Sequence, residues 1–334
     1  MARDDVVDWL LEEEQPSIRY RTLTELVGRG RRDREVRDAR QQILKTGWGR
    51  EILDARTPTG LWADGPSQYT PKYVSTHWRM LVLSDLGVTR SDPGIAELSE
   101  RWMEGFAARG GKLGGNSRGT PHHCVSANMA RALIRLGYAD DPRVRRTLAW
   151  LSETADPRGG WSCWGIGRNL DSWEALSAFA IYPRSAWTAR MRSSVEGGAE
   201  FFLARELHRQ GPRYAPWYRL HYPVHYYYDL LVGLELLSSL GHGHDPRLGT
   251  AIAWLQRKRR DDGRWNLDAV HPDVEGGPAD WFRKHPKQRP IAWSPETPGR
   301  PSKMVTFRAL KVLAAVGRAR ARPVRTKAAR RRSP

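Results

Sequence analysis

Residues 128–161, NMARALIRLGYADDPRVRRTLAWLSETADPRGGW, and residues 229–265, DLLVGLELLSSLGHGHDPRLGTAIAWLQRKRRDDGRW, carry the same pattern twice. In each, an apolar run closes on a glycine, Gly137 or Gly241, and an Asp-Pro pair, Asp141-Pro142 or Asp245-Pro246, opens a second run. A Trp-Leu pair, Trp150-Leu151 or Trp254-Leu255, then precedes a closing tryptophan, Trp161 or Trp265, by the same interval. Glycine stops a helix and Asp-Pro starts one, so the unit reads as a helical hairpin.

Trp150 and Trp254 are separated by two units. Halving the interval lands on Phe202 in GGAEFFLARELHRQ, and stepping back from Trp150 reaches Trp102 in ERWMEGFAARGGKL, then Glu51 in REILDARTPTGLW, closed by Trp62. Five units at spacings of 51, 48, 52 and 52 result, and a period near 50 marks a repeat architecture. The more apolar helices are expected over 18–27, 76–86, 125–136, 173–181, 228–240 and 305–316. The amphipathic ones are expected over 33–55, 93–108, 142–154, 185–208 and 246–259. Because the chain starts and ends on the apolar type, the first and last of these can meet. An inner ring wrapped by an outer ring, an all-α toroid of five to six hairpins, is the expected fold. Long connections at 109–121, 159–170, 209–220 and 263–302 would cover one mouth of that ring, the last as a Pro/Gly-rich flap.

The repeat body is placed at 16–317, with a short N-terminal segment at 1–15 and a basic tail at 318–334 expected to be disordered. The chain of 334 residues has a formal charge of +18, and the tail's seven Arg and one Lys account for eight of it. The body therefore stays basic at +10, which keeps nucleic acid and other anionic partners open. No apolar run is long enough for a membrane span, the acidic start MARDDVVDWLLEEE does not read as an export signal, and two cysteines do not make a disulfide scaffold. A cytoplasmic location is expected. Fifteen Trp and eleven Tyr must pack either a core or a ligand.

The endings AWLSETADPRGGW and AWLQRKRRDDGRW resemble the repeats of the squalene–hopene cyclase and protein prenyltransferase β-subunit superfamily, across roughly residues 16–317. Segments such as PKYVSTHW and RLHYPVHYYYDLLVGLELL are similar to a small bacterial group within it. The resemblance implies an α/α toroid enclosing an aromatic-lined apolar cavity, an apolar isoprenoid-like ligand and, if the protein is an enzyme, cyclase or transferase chemistry. The family's D-x-D-D acid motif and its Asp-x-Cys zinc pair are not in this sequence. A D-D-x-x-D pattern, Asp4, Asp5 and Asp8, lies ahead of the repeats, where it reads as a helix start.

Polar residues cluster at the expected beginnings of the inner helices. Asp229, His225 and His123 are the catalytic candidates. Tyr73, His77, Asn128, Trp164, Asp171, His221, Tyr226 and Lys303 are the ligand-binding ones. Asp229 reads either as a general acid raised by burial among Tyr226, Tyr227 and Tyr228, or as a carboxylate paired with His225 one helical turn earlier. Cys124 and Cys163 with His123 and either His221 or His225 would suit zinc, or the cysteines pack as small hydrophobes. His221-x-x-x-His225 has a metal-binding interval on a helix, which Pro223 interrupts. The aromatic and imidazole groups could equally line a pocket for an apolar or cationic ligand. Two rivals stand beside the isoprenoid reading: a basic helical-repeat nucleic-acid binder, and a non-catalytic scaffold.

Overall fold

Asp, Pro and Gly punctuate the chain where the repeat pattern places them. The computed structural model describes residues 2–63, 67–162, 169–170, 172–271, 291 and 293–320. Its helices, in chain order, are α1 (Ala2–Leu10), α2 (Pro16–Arg21) continued by a π-helical turn (Thr22–Val27), α3 (Arg34–Gln42), α4 (Gly47–Asp54) and α5 (Thr76–Asp85). They continue as α6 (Ile95–Gly105), α7 (His123–Arg135), α8 (Pro142–Glu153), α9 (Glu174–Ile181), α10 (Ala189–Leu203), α11 (Leu230–Leu240), α12 (Gly249–Arg257) and α13 (Lys303–Arg320). The strand content of the described residues is one two-stranded hairpin, β1 (Ala107–Ala108) with β2 (Lys112–Leu113).

The protein is an all-α toroid. The inner helices α5, α7, α9, α11 and α13 pack side by side in that order, and α13 returns to α2 and its π-turn. Arg21 on α2 donates to the Asp85 carbonyl at the end of α5, 2.9 Å away, so the ring closes. Outside it, α3 and α4 pack on α2, α6 on α5, α8 on α7 and α9, α10 on α9 and α11, and α12 on α11. The inner helices α5, α7 and α11 are buried over most of their length, as a ring wrapped by an outer layer requires.

Three of the outer helices turn back through the same short hairpin. Asp156 N–H donates to the Gly160 carbonyl and Gly159 N–H to the Asp156 carbonyl; Thr57 with Leu61 and Gly60, and Arg260 with Arg264 and Gly263, repeat the pattern. The fourth residue of this turn is a left-handed glycine in every unit, at Gly60, Gly111, Gly159, Gly211 and Gly263, with φ of 79°, 67°, 87°, 73° and 81°. These glycines stand at the spacings of 51, 48, 52 and 52. Two residues later the closing tryptophan enters the core and its indole N–H donates to the carbonyl ten residues upstream. Trp62 reaches Ile52 at 2.5 Å, Trp161 reaches Leu151 at 2.8 Å and Trp265 reaches Leu255 at 2.8 Å. In the second unit Leu113 fills the tryptophan position without a donor, and in the fourth Arg213 stands there.

Neighbouring outer helices are clasped by the Asp-Pro-Arg starts. Asp141 caps α8 through Arg143 N, and the Arg143 side chain forks onto Asp141 and onto Glu100 of α6. Asp245 and Arg247 do the same with Glu200 of α10.

Three boundaries differ from the sequence expectation. The single helix expected over 33–55 is two, because the chain turns at Gly47, φ 60°, where a Cβ would lie 2.7 Å from the Glu14 carbonyl. The helix expected over 185–208 begins at Ala189, capped by Thr188, and ends at Leu203. The segment expected apart from the body at 1–15 contains α1, whose Val6 and Leu10 are buried. On α1, Asp5 and Asp8 face solvent.

The repeated hairpin gives a differential test. An alanine at either Gly159 or Gly211 must adopt a left-handed conformation, at about 1–2 kcal/mol. At Gly211 the new Cβ meets nothing within 4 Å, whereas at Gly159 it falls 2.0 Å from the Gly197 carbonyl on α10. Chemical denaturation should show Gly159→Ala losing at least about 2 kcal/mol more than Gly211→Ala, the extra being the overpacking term.

Candidate functional site: a plugged, cationic bore

The bore is closed at one mouth by the chain between His221 and Asp229. Pro223 prevents helix there, and the segment lies across the N-terminal ends of the inner helices instead. The Tyr226 carbonyl accepts from Trp173 Nε1 at 3.2 Å, and the His225 carbonyl from Arg131 Nη2 at 3.5 Å. His225 and Tyr73 are both buried with left-handed backbones, φ 46° and 71°, and their rings stack at 5.2 Å. Such conformations cost about 1–3 kcal/mol each and persist only where packing imposes them. Here His271 supplies it: its ring stacks on Tyr73 at 3.6 Å, and its Nε2 shares a 2.8 Å hydrogen bond with His225 Nδ1. Tyr73 and Tyr226 share a hydroxyl–hydroxyl bond of 2.8 Å, to which Lys72 Nζ adds a donor at 3.0 Å. Trp78 meets the His225 ring edge-on at 5.0 Å.

Asp229 caps α11 rather than lying within it. Its Oδ1 accepts from Val232 N at 2.8 Å and its Oδ2 from His221 Nδ1 at 2.7 Å and from His221 N at 3.2 Å. The expected pairing with His225 is therefore corrected to His221. Burial would raise this carboxyl, but the His221 imidazole, its hydrogen bond, Arg308 and the Val232 amide outweigh it, and the net shift is downward. Asp229 is the N-cap of α11, with its carboxyl held below the ordinary aspartate range. The interval His221-x-x-x-His225 likewise places no two ligands on one helical face, because His221 turns to Asp229 and His225 to His271.

The remaining candidates are dispersed. His77 is buried in the first turn of α5 among Tyr69, Trp78, Trp102 and Phe106, and burial lowers its pKa to about 3. Asn128 is buried on α7 with its Oδ1 unpartnered among the described residues. His123 is stacked on Trp150 at 4.6 Å, and its two ring nitrogens engage the Ser162 carbonyl and Thr154 Oγ1. It does not join His225 and Asp229. Lys303 ties α13 to α1, donating to the Trp9 carbonyl at 2.8 Å and to Glu12 at 2.6 Å. Cys163, Trp164 and Asp171 lie outside the described residues, and Cys124 is half-buried in the first turn of α7. No group of three or more His, Cys, Asp and Glu among the described residues is placed to hold a metal, and Cys163 of the expected zinc set lies outside them.

The bore itself is a cavity of about 80 Å³ lined by all six inner helices and by Tyr222 and Val224 of the plug. One wall is apolar: Trp173, Ala180 and Ile181 of α9, Val232 and Leu236 of α11, and Met304. The other is cationic, with Arg21, Arg131, Arg135, Arg308 and Lys311 against Asp85 and Glu235. Many of these charges are paired. Arg308 bonds Glu235 at 2.9 Å, Lys311 bonds Glu25 at 2.7 Å, Arg21 bonds Glu25 at 2.7 Å, and Arg135 bonds Asp85. Burial would raise Glu25, yet the Arg21 and Lys311 charges hold its pKa at about 2. The expected aromatic lining is thus present in part: the aromatic cluster exists, but it packs the plugged mouth, while the bore is half apolar and half cationic. Sequence reasoning missed Arg131, Tyr222, Arg308 and His271. The readable signal for two of these was a charge inside an otherwise apolar inner helix, in NMARALIRL and in MVTFRALKVL.

No protein-family model and no curated protein sequence matches the chain. Among solved structures it is similar to the type II terpene cyclase MstE from Scytonema in its apo form, at 17% identity and a TM-score of 0.46, covering 96% of this chain and 97% of that one. A variant of MstE in complex with its substrate, geranylgeranyl dihydroxybenzoate, is similar at 16% identity and a TM-score of 0.45, covering 96% and 95%. The toroid is established by the helix packing of this chain itself.

The buried imidazoles make stability pH-dependent. Burial holds His77 neutral to about pH 3, so below the ordinary histidine pKa of about 6.5 the unfolded chain takes up a proton that the folded one refuses. This contribution is complete above about pH 6.5 and is lost as the pH falls. Relative to wild type, His77→Phe should gain about 1.4 kcal/mol per pH unit between about pH 6 and pH 4 in urea denaturation. A gap that stays constant across that range contradicts a neutral His77.

Proposed function

We propose that the protein is a small-molecule-binding α/α toroid whose ligand enters the bore at the unplugged mouth, where the inner helices end. The observation that carries this reading is a bore with a packed aromatic floor and a two-sided wall, apolar along α9 and α11 and cationic along α2, α7 and α13. On the apolar side the ligand offers an isoprenoid-like or other compact hydrocarbon group, against Trp173, Val232 and Leu236.

Size narrows the ligand. A cavity of about 80 Å³ has room for roughly five to eight waters. About one isoprene unit fits inside, and a longer chain must extend through the mouth. We assign binding as the activity: neither Asp229 nor His225 lines the bore, and Asp229 is held as a carboxylate. The nucleic-acid reading has less in its favour, since Arg143 and Arg247 of the outer ring are engaged with Glu100 and Glu200.

Ser239, exposed near the end of α11, lines the open mouth. Titrating the full chain with isoprenol, dimethylallyl alcohol and geraniol while following intrinsic tryptophan fluorescence should give saturable quenching. Ser239→Trp, which fills the mouth without entering the core, should weaken it at least about tenfold. Quenching that is absent, or indifferent to Ser239→Trp, rules out a bore entered from this mouth.

A further inference from the structure

Resting on the bore as the ligand site, we infer that the ligand carries an oxyanion gripped by Arg131, Arg308 and Tyr222. Three observations meet at this place. Tyr222, Arg131 and Arg308 are 1%, 5% and 5% exposed, and all three line the one cavity. Each holds a polar atom without a partner among the described residues: Tyr222 Oη, Arg131 Nε and Arg308 Nη1. Lining cations outnumber lining carboxylates five to two.

Buried donors are almost always satisfied, because an unmade hydrogen bond inside a protein forfeits the full cost of desolvation. Three such donors from three separated parts of the chain, around one cavity, form a receptor for acceptor atoms. Arg131 strengthens the case. It sits in α7 between the apolar neighbours Ala130 and Ala132, stacks on Trp173 at 4.7 Å, and makes no ion pair among the described residues. Its contact with the His225 carbonyl is long, 3.5 Å. A buried guanidinium that no carboxylate reaches in an ion pair is costly unless an anion is supplied, and the guanidinium fork matches phosphate and carboxylate oxygens. Arg308 shares its one carboxylate, Glu235, with Lys311 at 3.7 Å. A cavity of about 80 Å³ has room for a compact anionic group such as phosphate, sulfate or a short carboxylate.

The test uses thermal melting of the full chain in sodium phosphate, sulfate and acetate, each against chloride at matched ionic strength. At least one oxyanion should raise the melting temperature saturably beyond chloride, and the order of the three identifies the headgroup. Tyr222→Phe deletes only an unpartnered hydroxyl. It should melt with wild type in chloride yet bind the oxyanion about 10-fold more weakly. Arg131→Met should melt at or above wild type in chloride and lose the oxyanion response, whereas a purely structural Arg131, holding the plug through His225, requires it to melt lower. No oxyanion effect beyond chloride, or an effect that survives both substitutions, overturns the inference. If oxyanions fail while dimethylallyl alcohol still binds in a Ser239→Trp-sensitive way, the oxyanion is wrong and the bore reading stands. If neither class of probe binds, both fall.

Discussion

The toroid depends on each outer helix reversing onto the inner ring at a constant angle, and the left-handed glycine hairpin is what holds that angle. A turn whose fourth residue is a glycine at φ near 80° redirects the chain in four residues, a conformation that costs an L side chain about 1–2 kcal/mol. The tryptophan that follows then bonds back to a carbonyl of the helix just left, as Trp161 does to Leu151. Helix, turn and return become one rigid wedge. Repeated near every 50 residues, the wedges sum to a closed ring rather than an open superhelix. Where the tryptophan is replaced, at Leu113, the hairpin is reinforced instead by ladder pairing between β1 and β2 and by Leu113 N donating to Thr147 Oγ1.

Closure makes a second demand, since the first and last inner helices meet without a covalent link. Their seam is electrostatic: Arg21 and Glu25 from the start of the chain interlock with Lys311 and Arg308 of α13 and with Glu235 of α11. Arg21 also lies over the Phe307 ring at 4.5 Å. Partly buried ion pairs add little net stability over apolar packing, but losing one partner is costly. Such a network therefore favours one register of α13 against α2 over a slipped one. With the neighbouring carboxylates committed to these pairs, Arg131 is the bore-lining cation that makes no ion pair among the described residues.

Fold and site were legible to different depths for a physical reason. The five units, their order and the ring closure follow from Gly137, Gly241, Asp141-Pro142, Asp245-Pro246 and the Trp pairs, because caps and turns are local chemistry written at fixed offsets. The break at Gly47 escaped, since it depends on the approach of Glu14 from a separate helix. The site escaped in larger part. Looking at helix beginnings found Tyr73, His225, Tyr226 and Asp229, which do gather, but they gather as a plug whose partners, His221 and His271, are set by a non-helical path past Pro223. His123 and Lys303 share the register of those residues along their own helices, yet face away into local contacts. Register along a helix gives height in the ring and not direction around it.

A stronger rule for such a ring concerns the helices that are buried on every side. An outer helix has a solvent face on which an arginine means nothing in particular, whereas an inner helix has a core face and a bore face only. A charge within an inner helix must therefore pair across the seam or face the bore. Arg21, Glu235 and Arg308 do both, joining the seam's ion pairs while lining the bore, and Arg131 lines the bore without an ion pair among the described residues. By the same reasoning Arg79, on α5, must find cover: it lies under the Trp293 ring at 3.7 Å, with burial lowering its pKa to about 10. Trp293, which follows α12 in the chain, thus shields a cation of the second unit. Trp293 and His271 both lie on the plugged side, His271 against Tyr73 and His225 and Trp293 over Arg79.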